Sequence, residues 1–217
     1  PVQNQSQGFW AKYSGFFVKG ALNTLLFALL TVIAGTVLGT ILALMRRSKL
    51  WILKAISAIY VEFIRGTPLM VQAFIVFFGT QVLGLSLSAF TAGAIAMGIN
   101  SGAYVAEIIR SGLNSVPLGQ TEAARSLGLS SGATTRYVVL PQAIKNIWPA
   151  LGNEFVTDIK ESSVLSVIGA SELIFEGSKV QGASFQTFFP MMIVALIYFA
   201  MTFILTRALG FVERRMA

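Results

Sequence analysis

Three groups of residues in this chain have types and spacings that could do chemistry. The first is acidic. Glu154 and Asp158 stand four apart, with Glu161 one turn on. Residues i and i+4 share a helical face, and two carboxylates there repel unless a cation lies near. In an apolar segment such a pair is suited to holding positive charge. Two sources are open: Arg65 reaching across the bundle, or a cationic solute. The second group is Asn100, Tyr104 and Glu107 at i, i+4 and i+7, with Ser101 beside them. It makes one polar face, which is either a seam between helices or a lining for solute. Asn100 and Ser101 are assigned to a solute pathway, and Glu107 with Arg110, at i and i+3, to a structural ion pair. The third group is Arg65-Gly66-Thr67-Pro68. Pro68 lacks an amide hydrogen and disfavours helix at Thr67. A half-helix starting near Thr67 presents free amides and a positive dipole end to a carboxylate; the plainer reading is a kink at a membrane edge. These groups bind and release, with no covalent step.

What the sequence lacks narrows the chemistry further. It has no His and no Cys, which excludes disulfides, thiolate chemistry, a His-based triad and most zinc sites. No Gly-rich loop ending in Lys-Ser/Thr is present, and no nucleophile stands beside a base. Neither a catalytic nor a metal-ligating residue is assigned.

The elements that carry these groups are membrane helices. Hydrophobic residues make up 55% of 217 and charged residues only 12%, with a mean hydropathy of +0.73, against about a quarter charged in soluble domains. The fold class is therefore all-α and polytopic, with room for four to six crossings. Residues 1–20 read as an amphipathic, aromatic lead-in at an interface. Residues 21–45 are a first span, about 37 Å long as a helix, with Gly35 and Gly39 making a face for close packing. Residues 51–64, a break, and 69–83 give a helix and the second span. Spans follow at 86–112, 142–160 and 187–210. Residues 161–186 are a mixed polar stretch, and 213–217 a tail. No signal peptide is visible, because the first apolar run is too long for an h-region and lacks a cleavage site.

The net charge of +7 does not indicate nucleic acid, because the basic residues fall at the ends of apolar runs. Arg46, Arg47, Lys49, Arg110, Arg125, Arg136, Lys145, Arg207, Arg214 and Arg215 all lie on one side if the chain crosses five times. That places the N-terminus outside and the C-terminus in the cytoplasm.

One polar island remains, in the loop at 113–135. Residues 118–128 suit a short helix: Pro117 stands at its start, alanines favour it, and Gly128 can end it in a left-handed conformation. Glu122 lies where it suits the helix dipole.

Glu122-Ala123-Ala124, Gly128 four residues later and then Leu140-Pro141 resemble the EAA loop of ABC-importer permease subunits, with Val138 where that family often has Ile. The stretches 60–69 (Tyr-Val-Glu-Phe-Ile-Arg-Gly-Thr-Pro-Leu), 103–110 and 159–169 resemble signatures of its polar amino-acid branch. The resemblance covers about residues 20–212. It implies a permease domain of five spans at 21–212, pairing as a homo- or heterodimer in the bacterial plasma (inner) membrane. It implies two cytosolic ATP-binding subunits, with ATP and Mg bound there rather than here. It also implies an extracytoplasmic binding protein that delivers the amino acid. Glu122, Ala123, Ala124 and Gly128 would form the coupling helix seated in a groove of the ATPase. The family usually carries an apolar or small residue where this chain has Asp158, and that departure points to a cationic amino acid such as arginine, lysine or histidine. The competing reading is an ion-coupled secondary transporter using the carboxylates as a relay. It would need paired internal repeats, and none is convincing.

Overall fold

The computed structural model describes residues 2–216, with side chains from 8 to 215. Pro1 and Ala217, the outermost residues of the expected lead-in and tail, lie outside the described residues. Helix α1 (Val2–Arg47) is followed by α2 (Trp51–Arg65), α3 (Leu69–Val82), α4 (Ala89–Asn114), α5 (Leu118–Ser126) and the one-turn α6 (Ser131–Thr134). A π turn (Thr135–Val139) leads into α7 (Leu140–Glu161), and a 3-10 segment (Ser162–Ile168) precedes α8 (Leu173–Ser184) and α9 (Phe188–Met216). Contacts fix the directions. Ala34, Leu38 and Gly39 of α1 meet Gly98, Gly102 and Val105 of α4 in the same order, so the two helices run parallel. Phe9 meets Phe189, and residues up to Ala21 flank α9 as far as Ala200, so α9 is parallel as well. α7 is antiparallel, since Ile147 lies against Gly112 of α4 while Asp158 reaches back to Ser101.

Among the described residues, three helices are long and apolar enough to cross a membrane: Gly8–Arg47, Ala89–Asn114 and Phe188–Arg215. A fourth crossing is available from α2 and α3, which meet at an angle of 105° across their break. α7 carries Lys145, Asn146, Asn153, Glu154 and Asp158 and does not meet the same measure of length and hydropathy.

The tightest seam is α1 against α4, and its small residues set the distance. A Cβ on Gly39 would fall 2.7 Å from Val105 Cβ, and one on Gly35 would fall 2.6 Å from Ser101 Oγ. On the facing helix, a Cβ on Gly102 would lie 2.7 Å from Leu38. The expected Gly35/Gly39 face is thus matched by Gly98 and Gly102, and backbones approach where any side chain would prop them apart. Gly39→Val should therefore lower the thermal midpoint of the purified protein by several degrees, since overpacking costs about 1–3 kcal/mol. Gly79→Ala is the control, because nothing lies within 4 Å of its Cβ; equal midpoints for the two variants would contradict this packing account.

The expected boundary at residue 20 is absent. α1 continues through Gly20, where a Cβ would lie 2.8 Å from Leu173 Cα, so the glycine admits α8 rather than ending a segment. Phe9, Tyr13 and Phe17 are buried with Leu173, Val180, Ile193 and Val194. Their aromatic character fills a helix junction. Trp10 and Phe16 remain exposed. The polar stretch at 161–186 also takes up structure. Buried Glu172 caps α8 by accepting from the amides of Ile174 (2.8 Å) and Phe175 (2.6 Å), and Tyr198 donates to the same carboxylate at 2.8 Å. Buried Glu176 is paired with Lys19 at 3.2 Å and Lys179 at 3.0 Å. The tail at 213–216 is the last turn of α9.

Candidate functional site

The break between α2 and α3 is held by a residue that the sequence reading passed over. Gln72 is buried, and its Nε2 donates to Ile64 O (2.8 Å), Thr67 O (3.1 Å) and Thr67 Oγ1 (2.9 Å). Its Oε1 accepts from Asn100 Nδ2 at 3.0 Å. One amide thus satisfies carbonyls that Pro68 leaves without a helical partner. The signal was available: Gln72 is an amide four residues after Pro68 in a run that is otherwise apolar up to Gly79. Thr67 Oγ1 donates back to Phe63 O at 3.0 Å. Thr67 and Asn100 therefore have intramolecular partners and shape the break. Gln72→Leu should release Asn100 and the carbonyl of Thr67, at a cost of about 1–3 kcal/mol per group left unpaired, while Ile64 O keeps only its long bonds from Thr67. The loss should appear as a lower melting temperature together with easier proteolysis at 65–68; an unchanged melt and digest would contradict the assignment.

Asp158 and Ser101 are buried and face each other, with Ser101 Oγ donating to Asp158 Oδ2 at 3.5 Å, near the long limit of a hydrogen bond. Glu154 is half-buried one turn before Asp158 on α7. Among the described residues neither carboxylate has an ion-pair partner. Arg65, the partner considered across the bundle, is exposed and lies over the Tyr104 ring at 5.3 Å. Glu107 and Arg110 are bonded to each other, with Arg110 Nε donating at 2.9 Å, as the structural reading held. The structure therefore brings together Ser101, Asp158 and Glu154 without an ion pair among the described residues, while the charge of Arg65 acts on Glu154 from a distance. A carboxylate away from water is costly without an ion-pair partner.

The second functional element is at the opposite end of α7. α5 spans nine residues, with Pro117 just before it. Gly128 ends it at φ +85°. Gly128 N donates to Arg125 O at 3.0 Å and Leu129 N to Ala124 O at 3.2 Å, the bond pair of a Schellman motif. Glu122 and Ala123 are exposed, and Ala124 is buried beneath them. α5 rests on α6 and on the π turn that feeds α7. Pro141 offers no amide hydrogen to the turn before it, which accounts for the irregular winding there. Two side-chain bonds brace this corner: Asn146 Nδ2 to Ser115 Oγ at 2.7 Å, and Gln142 Nε2 to Val138 O at 2.9 Å. Asp158 lies 18 residues beyond Leu140 along one helix, about 27 Å at 1.5 Å per residue.

The bundle thus carries an exposed Glu122-Ala123 surface joined through α7 to buried Asp158 and half-buried Glu154. Residues 35–217 match the family described as binding-protein-dependent transport system inner membrane component. The chain belongs to that family. This inner membrane component is 40% identical over 202 residues to the putative glutamine transport system permease protein of Rickettsia conorii, covering 93% of each. It is 39% identical to the arginine transport system permease protein ArtQ of Bacillus subtilis, covering 93% of this chain and 92% of the other. Among solved structures it is similar to an amino acid ABC transporter with histidines, at 46% identity and a TM-score of 0.91, covering 94% of this chain and 96% of that one. The fold is that of a type I ABC importer permease, all-α and polytopic. The family assignment does not favour the ion-coupled alternative.

Proposed function

We propose that this inner membrane component is the solute-conducting subunit of an ATP-driven importer of polar amino acids, with preference for cationic ones. The observation that carries the substrate class is the Glu154/Asp158 pair, buried or half-buried and without an ion-pair partner among the described residues. A cationic side chain passing between them would supply that partner, and Ser101 orients Asp158 toward it. The similarity to both a glutamine and an arginine permease supports an amino acid. Arg65 and the first turn of α3, with Thr67 and Asn100 setting its geometry, would receive the α-carboxylate.

Five crossings, formed by α1, the bent α2/α3 pair, α4, α7 and α9, put the ends of α1, α4 and α9 on one side. Arg46, Arg47, Arg110, Arg207, Arg214 and Arg215 cluster there, which supports a cytoplasmic C-terminus and an outside N-terminus. The exposed Glu122-Ala123 surface then faces the cytosol, where an ATP-binding subunit, holding ATP and Mg, would grip it. Two such subunits, a second permease copy or relative, and an extracytoplasmic binding protein complete the assembly. Movement of α5 would pass through the π turn to α7, and along it past Pro149 to Asp158.

The test is an uptake competition across the amino acids with the reconstituted complex. Arginine, lysine or histidine should compete best. Equal competition by leucine, or none by any amino acid, would refute the substrate class. Reporter fusions within 118–135 that read as extracytoplasmic would refute the orientation.

A further inference from the structure

Behind α5 lies a cavity of about 450 Å³, enclosed by the ends of α1 and α4, by α5 and by α6. Its charge is one-sided. Arg47 and Arg125 line it, and no acidic residue does. Arg47 is exposed and has no ion pair, hydrogen bond or ring contact among the described residues. Arg125 donates one Nη1 bond to Leu129 O at 3.0 Å and has no carboxylate partner. Thr121 and Ser131 add hydroxyls. The first turn of α5 has no side-chain cap, so its amides add to the positive field. The remaining wall is mixed: Asn114, Thr134 and Thr135 are polar, and Leu113 and Leu118, the latter 71% exposed, are among the apolar residues.

Depth decides what such a cavity suits. Arg47 ends the α1 span and Asn114 ends α4, so the cavity sits where the hydrocarbon gives way to headgroups. Basic pockets between membrane helices on the cytoplasmic side take lipid phosphates. Leu118, Thr121 and Arg125 of α5 line the cavity, while Ala123 points away from it and Glu122, one turn after Leu118, is exposed beside the rim without lining it. An occupant would therefore sit behind α5 and leave Ala123 exposed.

We infer that this cavity binds the phosphate of an anionic phospholipid from the cytoplasmic leaflet, and that the bound lipid braces α5 against the bundle. A free phosphate offers the same charge, but it makes no use of the leucines. The inference rests on the reading that the α5 end of the bundle is cytosolic.

The complex with its ATP-binding subunits is assembled in nanodiscs of phosphatidylcholine, with or without phosphatidylglycerol, and the lipids retained after release are counted by native mass spectrometry. Wild type should keep phosphatidylglycerol in preference to phosphatidylcholine, and Arg47→Gln should retain about fivefold less, as expected for one interfacial arginine. Arg215→Gln, at the far end of α9, should retain as much as wild type. ATP hydrolysis stimulated by binding protein and solute should rise with phosphatidylglycerol in wild type and lose that dependence in Arg47→Gln. Equal retention by wild type and Arg47→Gln would overturn the inference. So would displacement of the lipid by added inorganic phosphate, which would make this a free-anion site. Loss of the lipid whenever the ATP-binding subunits are present would also overturn it, assigning the cavity to the partner. Retention is read without transport, so its failure leaves the importer reading intact, and failure of amino-acid uptake leaves the lipid count unaffected.

Discussion

Replacing Gly128 by Val should abolish most of the ATP hydrolysis stimulated by binding protein and solute, while the protein still inserts and the complex still assembles. The reason is local. Gly128 sits at φ +85° with open space around its Cβ position, so the substitution meets no neighbour. The whole penalty is backbone strain, about 1–3 kcal/mol for an unfavourable φ held by its surroundings, and greatest for a β-branched residue. The chain would relieve it by leaving the left-handed conformation and giving up the bonds to Arg125 O and Ala124 O that end α5. Glu122 and Ala123 would then be presented at a different angle. A strain of that size corresponds to a change in coupling of about 5- to 150-fold. Gly128→Asn should recover much of the activity, because Asn visits this conformation far more readily. Wild-type stimulation in Gly128→Val, or no difference between the Val and Asn variants, would show that the geometry of this turn does not matter.

The second large effect is expected at Asp158. Asp158→Leu should reduce arginine uptake by roughly ten- to a hundredfold, the equivalent of losing an interaction with a charged group worth about 1.5–3 kcal/mol. Competition by glutamine should be affected far less. Asp158→Asn should behave like Leu for arginine while retaining the bond from Ser101, which separates charge from packing. Glu154→Gln should give a smaller change of the same kind, since Glu154 is only half-buried. A cationic preference that survives Asp158→Leu would remove the electrostatic basis for the proposed substrate class.

The parts of this architecture that follow from periodicity and local stereochemistry were readable from the sequence. The α1 face at Gly35 and Gly39, the break at Thr67-Pro68, the Glu107–Arg110 pair and the Gly128 terminus are each dictated by residues within one or two turns. The long-range pairings were not. Gln72 reaches Asn100 across 28 positions, and Tyr198 reaches Glu172 across 26. No local pattern marks such partners, because they depend on which faces the bundle brings together. Arg65 illustrates the same limit: its charge acts on Glu154 without forming an ion pair, and its guanidinium lies over the Tyr104 ring. The continuous α1 was hidden for a related reason. An aromatic, mildly polar segment has the composition of an interfacial helix, and only the packing of Phe9, Tyr13 and Phe17 under α8 and α9 reveals its other use.

The most direct measurement compares solute uptake into lipid vesicles containing this protein alone with uptake into vesicles that also hold its ATP-binding subunits and ATP, with the binding protein outside in both. Accumulation should appear only in the second, and stop when ATP is replaced by a non-hydrolysable analogue. Accumulation at the full rate by the protein alone would contradict the view that α5 is moved by a separate nucleotide-hydrolysing partner.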